Sequence, residues 1–161
     1  MGGWEVAGVA KYYSGTPLSI GGGGPIPLFG GGNRPNRVPG VDQRTGASRG
    51  DFKPGGSDAG GTPYLNINAW SQPAPFTLGN GSRTEPGLRG FPLFNEDLSF
   101  IKRTYVKESV NVELRAEFFN LFNRVIFNDP GTDTTDPINF GRSFGQANVP
   151  RHIQFGLKIN F

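Results

Sequence analysis

The chain ends in Arg151-His-Ile-Gln-Phe-Gly-Leu-Lys-Ile-Asn-Phe161, and in this stretch every second residue is large and apolar. The apolar positions are Ile153, Phe155, Leu157, Ile159 and Phe161. A period of two predicts a β-strand with one apolar and one polar face, because successive side chains of a strand point to opposite sides. The predicted strand, residues 151–161, is long enough to cross a bilayer when it is tilted.

This alternation has two interpretations. The final strand of an outer-membrane barrel turns apolar residues to lipid and polar residues to the lumen, with an aromatic residue at the membrane interface. A half-buried strand of a soluble sheet shows the same period. The strand by itself therefore leaves open whether its apolar face meets lipid or a protein core.

The composition divides the chain into regions. There are 26 Gly and 14 Pro among 161 residues, close to the level of low-complexity sequence. Hydrophobic residues make up only 35%, and the largest of them cluster in the first dozen residues and after about Gly90. We therefore expect the middle portion to lack the apolar area for a core of its own.

Charge and cysteine content exclude several classes of function. The net charge is +3, but Lys and Arg are scattered, so we expect no nucleic-acid partner. The absence of cysteine excludes disulfides and thiolate sites. The sequence has neither an apolar run of transmembrane-helix length nor a signal peptide. Because an exported protein needs an export signal, we expect this chain to be the end of a longer one.

Residues 4–13 form a second alternating stretch. One face carries Trp4, Val6, Gly8, Ala10 and Tyr12. This face has no charge and an aromatic residue at each end, as in a lipid-facing strand with Trp4 and Tyr12 as interfacial anchors, or in an edge strand of a soluble sheet. Residues 14–95 then predict a long loop, in which Tyr64 to Trp70 could form a helical turn or a short strand.

Residues 96–106 and 110–122 predict a hairpin. A three-residue turn would set Val106 opposite Val110 and would pair Arg103 with Glu113 on the polar, lumen-facing side. A two-residue turn would set polar positions against apolar ones. Phe118 is a third candidate aromatic anchor. Lys102 falls on the apolar face, where a lysine costs about 2–4 kcal/mol at the bilayer midplane, so its ammonium must reach the interface.

Residues 123–150 form a second loop with no recognisable catalytic or metal motif. Its carboxylates Asp129, Asp133 and Asp136 do not have the spacing of a calcium-binding EF-hand loop. His152 is the only histidine, and no nucleophile–base arrangement accompanies it. We therefore predict no catalytic residue, no metal site, no cofactor and no enzymatic activity.

The connections favour a membrane topology. Long loops alternate with one short turn, as in barrels whose long loops are extracellular and whose short turns are periplasmic. The predicted fold is all-β, with four antiparallel strands forming an open, curved piece of a larger barrel with long irregular extracellular loops. Residues 1–161 would then be one segment of that barrel.

The stretches Arg115-Ala-Glu-Phe-Phe-Asn-Leu-Phe-Asn123, Asp97-Leu-Ser-Phe100 and Pro150 to Phe161 resemble the C-terminus of TonB-dependent outer-membrane receptors. They are most similar to the Oar-like branch, whose members often carry a carboxypeptidase-regulatory-like domain. The resemblance implies a barrel of about 22 strands, of which this chain supplies the last four. It also implies that the barrel-assembly machinery recognises Phe161 together with Ile159, Leu157, Phe155 and Ile153.

The resulting expectation is a transport or receptor component of the cell outer membrane, a fragment that does not function alone. Its expected partners are outer-membrane lipid, the remainder of the barrel and its plug domain, the TonB complex through an N-terminal part outside these residues, and the barrel-assembly machinery. The sequence does not identify the transported ligand. The alternative is a small secreted or surface β-protein that acts as a binding or adhesion module.

Overall fold

The structure is a computed structural model that describes residues 2–24, 32–52 and 61–161. The strands are β1 (Trp4–Tyr13), β2 (Asn36–Arg37), β3 (Trp70–Ser71), β4 (Leu93–Lys107), β5 (Val110–Phe119) and β6 (His152–Asn160). Two 3-10 turns occupy Arg49–Asp51 and Ile67–Ala69. Among the described residues, no helix has the length and apolar character needed to span a membrane.

The chain divides into two compact units. The first comprises Met1–Tyr13, Leu93–Ile126 and Asn148–Phe161. The second comprises Ser14–Pro92 and Phe127–Ala147. Each unit therefore draws on segments that are far apart in the sequence.

The first unit is a four-stranded antiparallel sheet in the order β1-β4-β5-β6. This confirms the predicted all-β class and the open antiparallel arrangement. β1 has the predicted bounds, whereas β4 begins at Leu93, before the predicted start at residue 96. β5 ends at Phe119 and not at residue 122, because Asn120 has a φ of +52° and turns the chain out of the strand.

The β4–β5 turn differs from the prediction. Lys107, and not Val106, lies opposite Val110, so the turn contains only Glu108 and Ser109. A register shift between Tyr105 and Lys107 marks a β-bulge, which adds one residue to β4. The bulge keeps the rest of the hairpin in the predicted register despite the shorter turn.

The prediction that the middle portion lacks its own core is wrong. The second unit has a buried hydrophobic cluster formed by Leu18, Ile20, Leu65, Ala69, Trp70, Leu88 and Phe140. The composition gave the wrong prediction because the core takes only one or a few residues from each of several distant segments. One of these residues, Phe140, comes from residues 123–150. The helical turn and the short strand, both considered for Tyr64 to Trp70, are both present as Ile67–Ala69 and Trp70–Ser71.

Backbone hydrogen bonds and close glycine contacts hold these segments together. Leu18 N donates to Leu88 O at 3.0 Å, and Glu85 N donates to Leu18 O at the same distance. Gly23 and Gly79 both approach the backbone of Arg34 so closely that an added Cβ would clash with it. The glycine content is therefore partly a requirement of backbone packing.

Candidate functional site: the two faces of the terminal sheet

The strand register builds a continuous apolar face on the first unit. Its central rows are Trp4–Lys102–Leu114–Leu157, Val6–Phe100–Ala116–Phe155 and Gly8–Leu98–Phe118–Ile153. Phe155 is 80% exposed, Leu157 64% and Phe161 99%. The candidate assembly-signal residues thus lie exposed along the outer edge strand, and no helix or second sheet of the described chain covers them.

The aromatic residues predicted as anchors all lie on this face. Trp4 and Tyr12 lie at opposite ends of β1 and are exposed. Tyr12 packs against Phe94 with 5.8 Å between ring centroids, and Phe118 packs edge-on against Phe100 at 6.1 Å. Two ends of the apolar face therefore carry amphipathic rings, as membrane interfaces require.

The opposite face carries a chain of ion pairs. The structure brings Arg103 and Glu113 together at 2.8 Å, as predicted, and Arg103 also contacts Glu5 at 3.1 Å. Arg115 contacts Glu113 at 3.0 Å and Glu117 at 3.5 Å. The charges thus alternate in sign across β1, β4 and β5, so this face is strongly polar without a large net charge.

A comparison with known protein families agrees with these two faces. The family model described as the outer membrane beta barrel domain matches residues 1–154. The chain belongs to this family. No curated protein and no solved structure matches the chain.

Membership in the outer membrane beta barrel domain family indicates which face of the sheet meets lipid and which face lines the lumen. The protein lies in the cell outer membrane, as predicted. In such barrels the apolar face meets lipid and the polar face lines the lumen. A soluble secreted module would need protein to cover the apolar face, whereas in this family lipid covers it.

The sequence reading missed a charged cluster at one end of the apolar face. Glu96 pairs with Ala10 and is only 7% exposed. The single N–H of Arg124 Nε donates a bifurcated hydrogen bond to both oxygens of this carboxylate, at 2.9 and 3.0 Å, and the Tyr12 hydroxyl donates to it at 2.7 Å. The bond to Glu96 raises the pKa of Arg124 above its usual value. An acidic residue in an apolar row was the sequence signal for this site.

Aromatic rings shield the Arg124 guanidinium. It lies 5.3 Å from the ring centroid of Phe122 and 5.9 Å from that of Phe94. Such cation–π contacts add about 0.5–1 kcal/mol each at exposed sites. A paired, ring-covered arginine is therefore tolerated at the edge of a lipid-facing surface.

Asparagines in the Phe-Asn-Leu-Phe-Asn motif build the turn after β5. Asn120 is 2% exposed, and its Nδ2 donates to Arg124 O at 2.9 Å and to Val149 O at 3.1 Å. Its Oδ1 accepts from Arg124 N at 2.7 Å. Asn123, which also has positive φ, accepts from Arg151 N at 3.0 Å. The motif thus joins the end of β5 to the start of β6.

The three carboxylates of residues 123–150 accept hydrogen bonds from neighbouring polar groups. Asp133 accepts from Thr135 N at 2.9 Å and from Thr135 Oγ1 at 2.7 Å, and these bonds lower the pKa of Asp133. Asp136 accepts from Asn139, and Asp129 accepts from Thr16. His152 lies exposed opposite Phe119. Across residues 2–24, 32–52 and 61–161, no three acidic or histidine side chains are grouped as metal ligands.

The second unit has an open groove of about 320 Å³ lined by residues 42–46 and 86–88. Arg44 donates to Gly87 O at 3.0 Å and lies over the Tyr64 ring at 5.3 Å. Gln43 donates to the buried Glu85 at 2.7 Å. The lining of the groove therefore includes the charged residues Asp42 and Arg44.

Proposed function

We propose that this chain forms the C-terminal barrel strands of a TonB-dependent receptor that takes up an unidentified ligand, and that it has no catalytic role. The single observation that carries the proposal is the unfinished sheet. Among the described strands, β1 pairs only with β4, and β6 pairs only with β5. Both edges are long, and the apolar face continues to each of them, so further strands must complete the barrel.

Membrane energetics support this proposal. Unpaired backbone groups cost several kcal/mol each in hydrocarbon, so an open sheet edge does not persist in lipid. Eight strands are the usual minimum for a barrel. The resemblance of the Phe-Asn-Leu-Phe-Asn motif and of the terminal strand to TonB-dependent receptors then favours a barrel of about 22 strands.

The decisive experiment is to determine the genomic sequence upstream of Met1. We expect an open reading frame that continues into further alternating strands, a plug domain and a TonB box. A stop codon and an export signal directly upstream would contradict the receptor assignment. Membership in the family would be unaffected by that result.

A biochemical test addresses the fragment itself. We expect the isolated chain neither to transport nor to insert stably into membranes, because both sheet edges lack partners. Refolding in detergent followed by gel electrophoresis with and without heating measures insertion-competent structure. A compact species that migrates faster before heating than after it would show that four strands suffice and would refute this expectation.

In the proposed receptor, the last strand also acts as the assembly signal. Phe161 is almost fully exposed, and Ile159, Leu157, Phe155 and Ile153 share its face. Phe161→Ala in the complete gene should reduce insertion into the outer membrane. Asn160→Ala, a change of the neighbouring residue on the polar face, is the matched control, and an equal loss for both variants would refute a side-specific signal.

The second unit is the candidate ligand surface of the receptor. Its segments correspond to the long connections that barrels of this kind place outside the cell. The groove beside Arg44 supplies donors and an acceptor for a small polar ligand. Arg44→Ala should weaken uptake without reducing the amount of receptor in the membrane, whereas Arg83→Ala, a change of another exposed arginine of that unit, should leave uptake unchanged.

A further inference from the structure

Lys102 occupies a position on the apolar face that favours an aliphatic residue. It lies between Trp4 of β1 and Leu114 of β5 in one row of the sheet. Its ammonium donates to Gly2 O and lies 5.2 Å from the centroid of the Trp4 ring. Because an ammonium has three donors, it can still bind an anion at the surface of this face.

An apolar groove adjoins this ammonium. It has a volume of about 300 Å³, and its lining includes Trp4, Phe100, Leu114, Ala116 and Phe155 together with Lys102. Ala116 forms the floor because it pairs with Phe100 on one side and Phe155 on the other, and its small side chain leaves the space between the two rings open. The surface thus combines one cationic group with an adjacent apolar channel.

We propose that this surface binds an anionic phospholipid, with one acyl chain in the groove over Ala116 and the phosphate at the ammonium of Lys102. Family membership places the apolar face in lipid, so a lipid is the molecule that meets the groove. The charge of Lys102 favours an anionic headgroup over a zwitterionic one. The inference rests on membership in the barrel family and not on the proposed transport role.

Trp4 provides a fluorescent reporter at the site itself. The sequence contains 2 tryptophans, so Trp70→Phe leaves Trp4 as the only one. The complete barrel, in which every tryptophan outside these 161 residues is also replaced by phenylalanine, is placed in phosphocholine-detergent micelles that contain dibrominated phosphatidylglycerol or dibrominated phosphatidylcholine at equal mole fraction. Bromine quenches indole fluorescence at short range, and circular dichroism selects samples in which the sheet is formed.

We expect quenching by brominated phosphatidylglycerol to exceed quenching by phosphatidylcholine about fivefold, which corresponds to about 1 kcal/mol for one lysine near an anionic lipid. Lys102→Met should reduce the ratio to about 1, and Lys102→Arg should retain it. Ala116→Leu should reduce quenching by both lipids, because the longer side chain fills the groove.

Lys158→Met is the matched control, because Lys158 lies on the polar face opposite Glu113 and its loss removes the same charge. The ratio should not change in this variant. Equal quenching by the two lipids in the chain that retains Lys102 would overturn the proposal. A preference that persists in Lys102→Met, or that Lys158→Met also abolishes, would overturn it too.

Discussion

Replacing Asn120 by alanine should open the turn after β5 locally. The substitution removes three side-chain hydrogen bonds, two to Arg124 and one to Val149. It also places alanine at a φ of +52°, where asparagine is better tolerated. Hydrogen bonds contribute about 1 kcal/mol each and the backbone conformation about 1 kcal/mol more, so we expect a loss of about 2–4 kcal/mol in local stability.

Hydrogen exchange of the Leu121 amide measures this loss. That amide donates to Glu96 O at 2.8 Å and is released when the turn opens. The expected loss corresponds to exchange that is roughly 30-fold to nearly 1,000-fold faster when the complete barrel is held in detergent micelles. Asn120→Gly relieves the backbone strain but not the lost bonds, so its amide should exchange about fivefold more slowly than that of Asn120→Ala.

Asn123→Ala is the matched comparison. Asn123 has a similar φ of +51°, but its side chain accepts a single hydrogen bond, from Arg151 N. The effect on Leu121 exchange should therefore be smaller than that of Asn120→Ala. An increase of less than about threefold in Asn120→Ala, or a larger effect of Asn123→Ala, would refute the assignment of the hydrogen bonds as the cause.

Three further predictions concern other parts of the chain. Gly79→Ala should destabilise the second unit by about 1–3 kcal/mol, because the added Cβ clashes with the Arg34 backbone; urea unfolding followed by Trp70 fluorescence measures the loss. Gly87→Ala is the control, because Gly87 has open space around it. Its positive φ alone should cost about 1 kcal/mol. Arg103→Met should cost the sheet less than about 1 kcal/mol, as measured by urea unfolding followed by Trp4 fluorescence, because the Arg103 side chain is 46% exposed and such pairs are screened by solvent. Because the pKa of Asp133 is lowered, its bonds to Thr135 stabilise the fold above the usual aspartate pKa, and this stabilisation is lost as pH falls through the lowered pKa. Thr135→Val should raise the pKa of Asp133, as measured by NMR titration. An unchanged pKa would refute the proposed cause.

The four strands of the terminal sheet were predictable because apolar and polar residues alternate along most of their length, with Glu96 and Lys102 of β4 as exceptions. The register followed as well, since only one alignment of β4 and β5 matches apolar with apolar and Arg103 with Glu113. The bulge at Val106 was not predictable, because a two-residue turn with a bulge and a three-residue turn give the same pairing beyond Tyr105. Local turn geometry separates them, and the polar residues of the turn do not encode it clearly.

Less of the candidate site than of the fold could be predicted from the sequence. The core of the second unit joins residues as distant as Leu18 and Phe140, and no periodic pattern marks such contacts. The Glu96–Arg124 pair depends on the turn that Asn120 builds, which brings Arg124 back over the sheet. Both features arise from long-range packing of irregular segments, where residue type alone gives little information about partners.

The antiparallel order of the sheet determines which compartment each chain segment reaches. β1 and β6 run in opposite directions, and Trp4 at the start of β1 shares a row with Leu157 near the end of β6. An epitope tag before Trp4 and one after Phe161 would therefore be exposed on the same side of the bilayer, together with the turn at Glu108. A tag inserted after Tyr13 would emerge on the other side, so antibody labelling of intact cells would distinguish the two sets of positions.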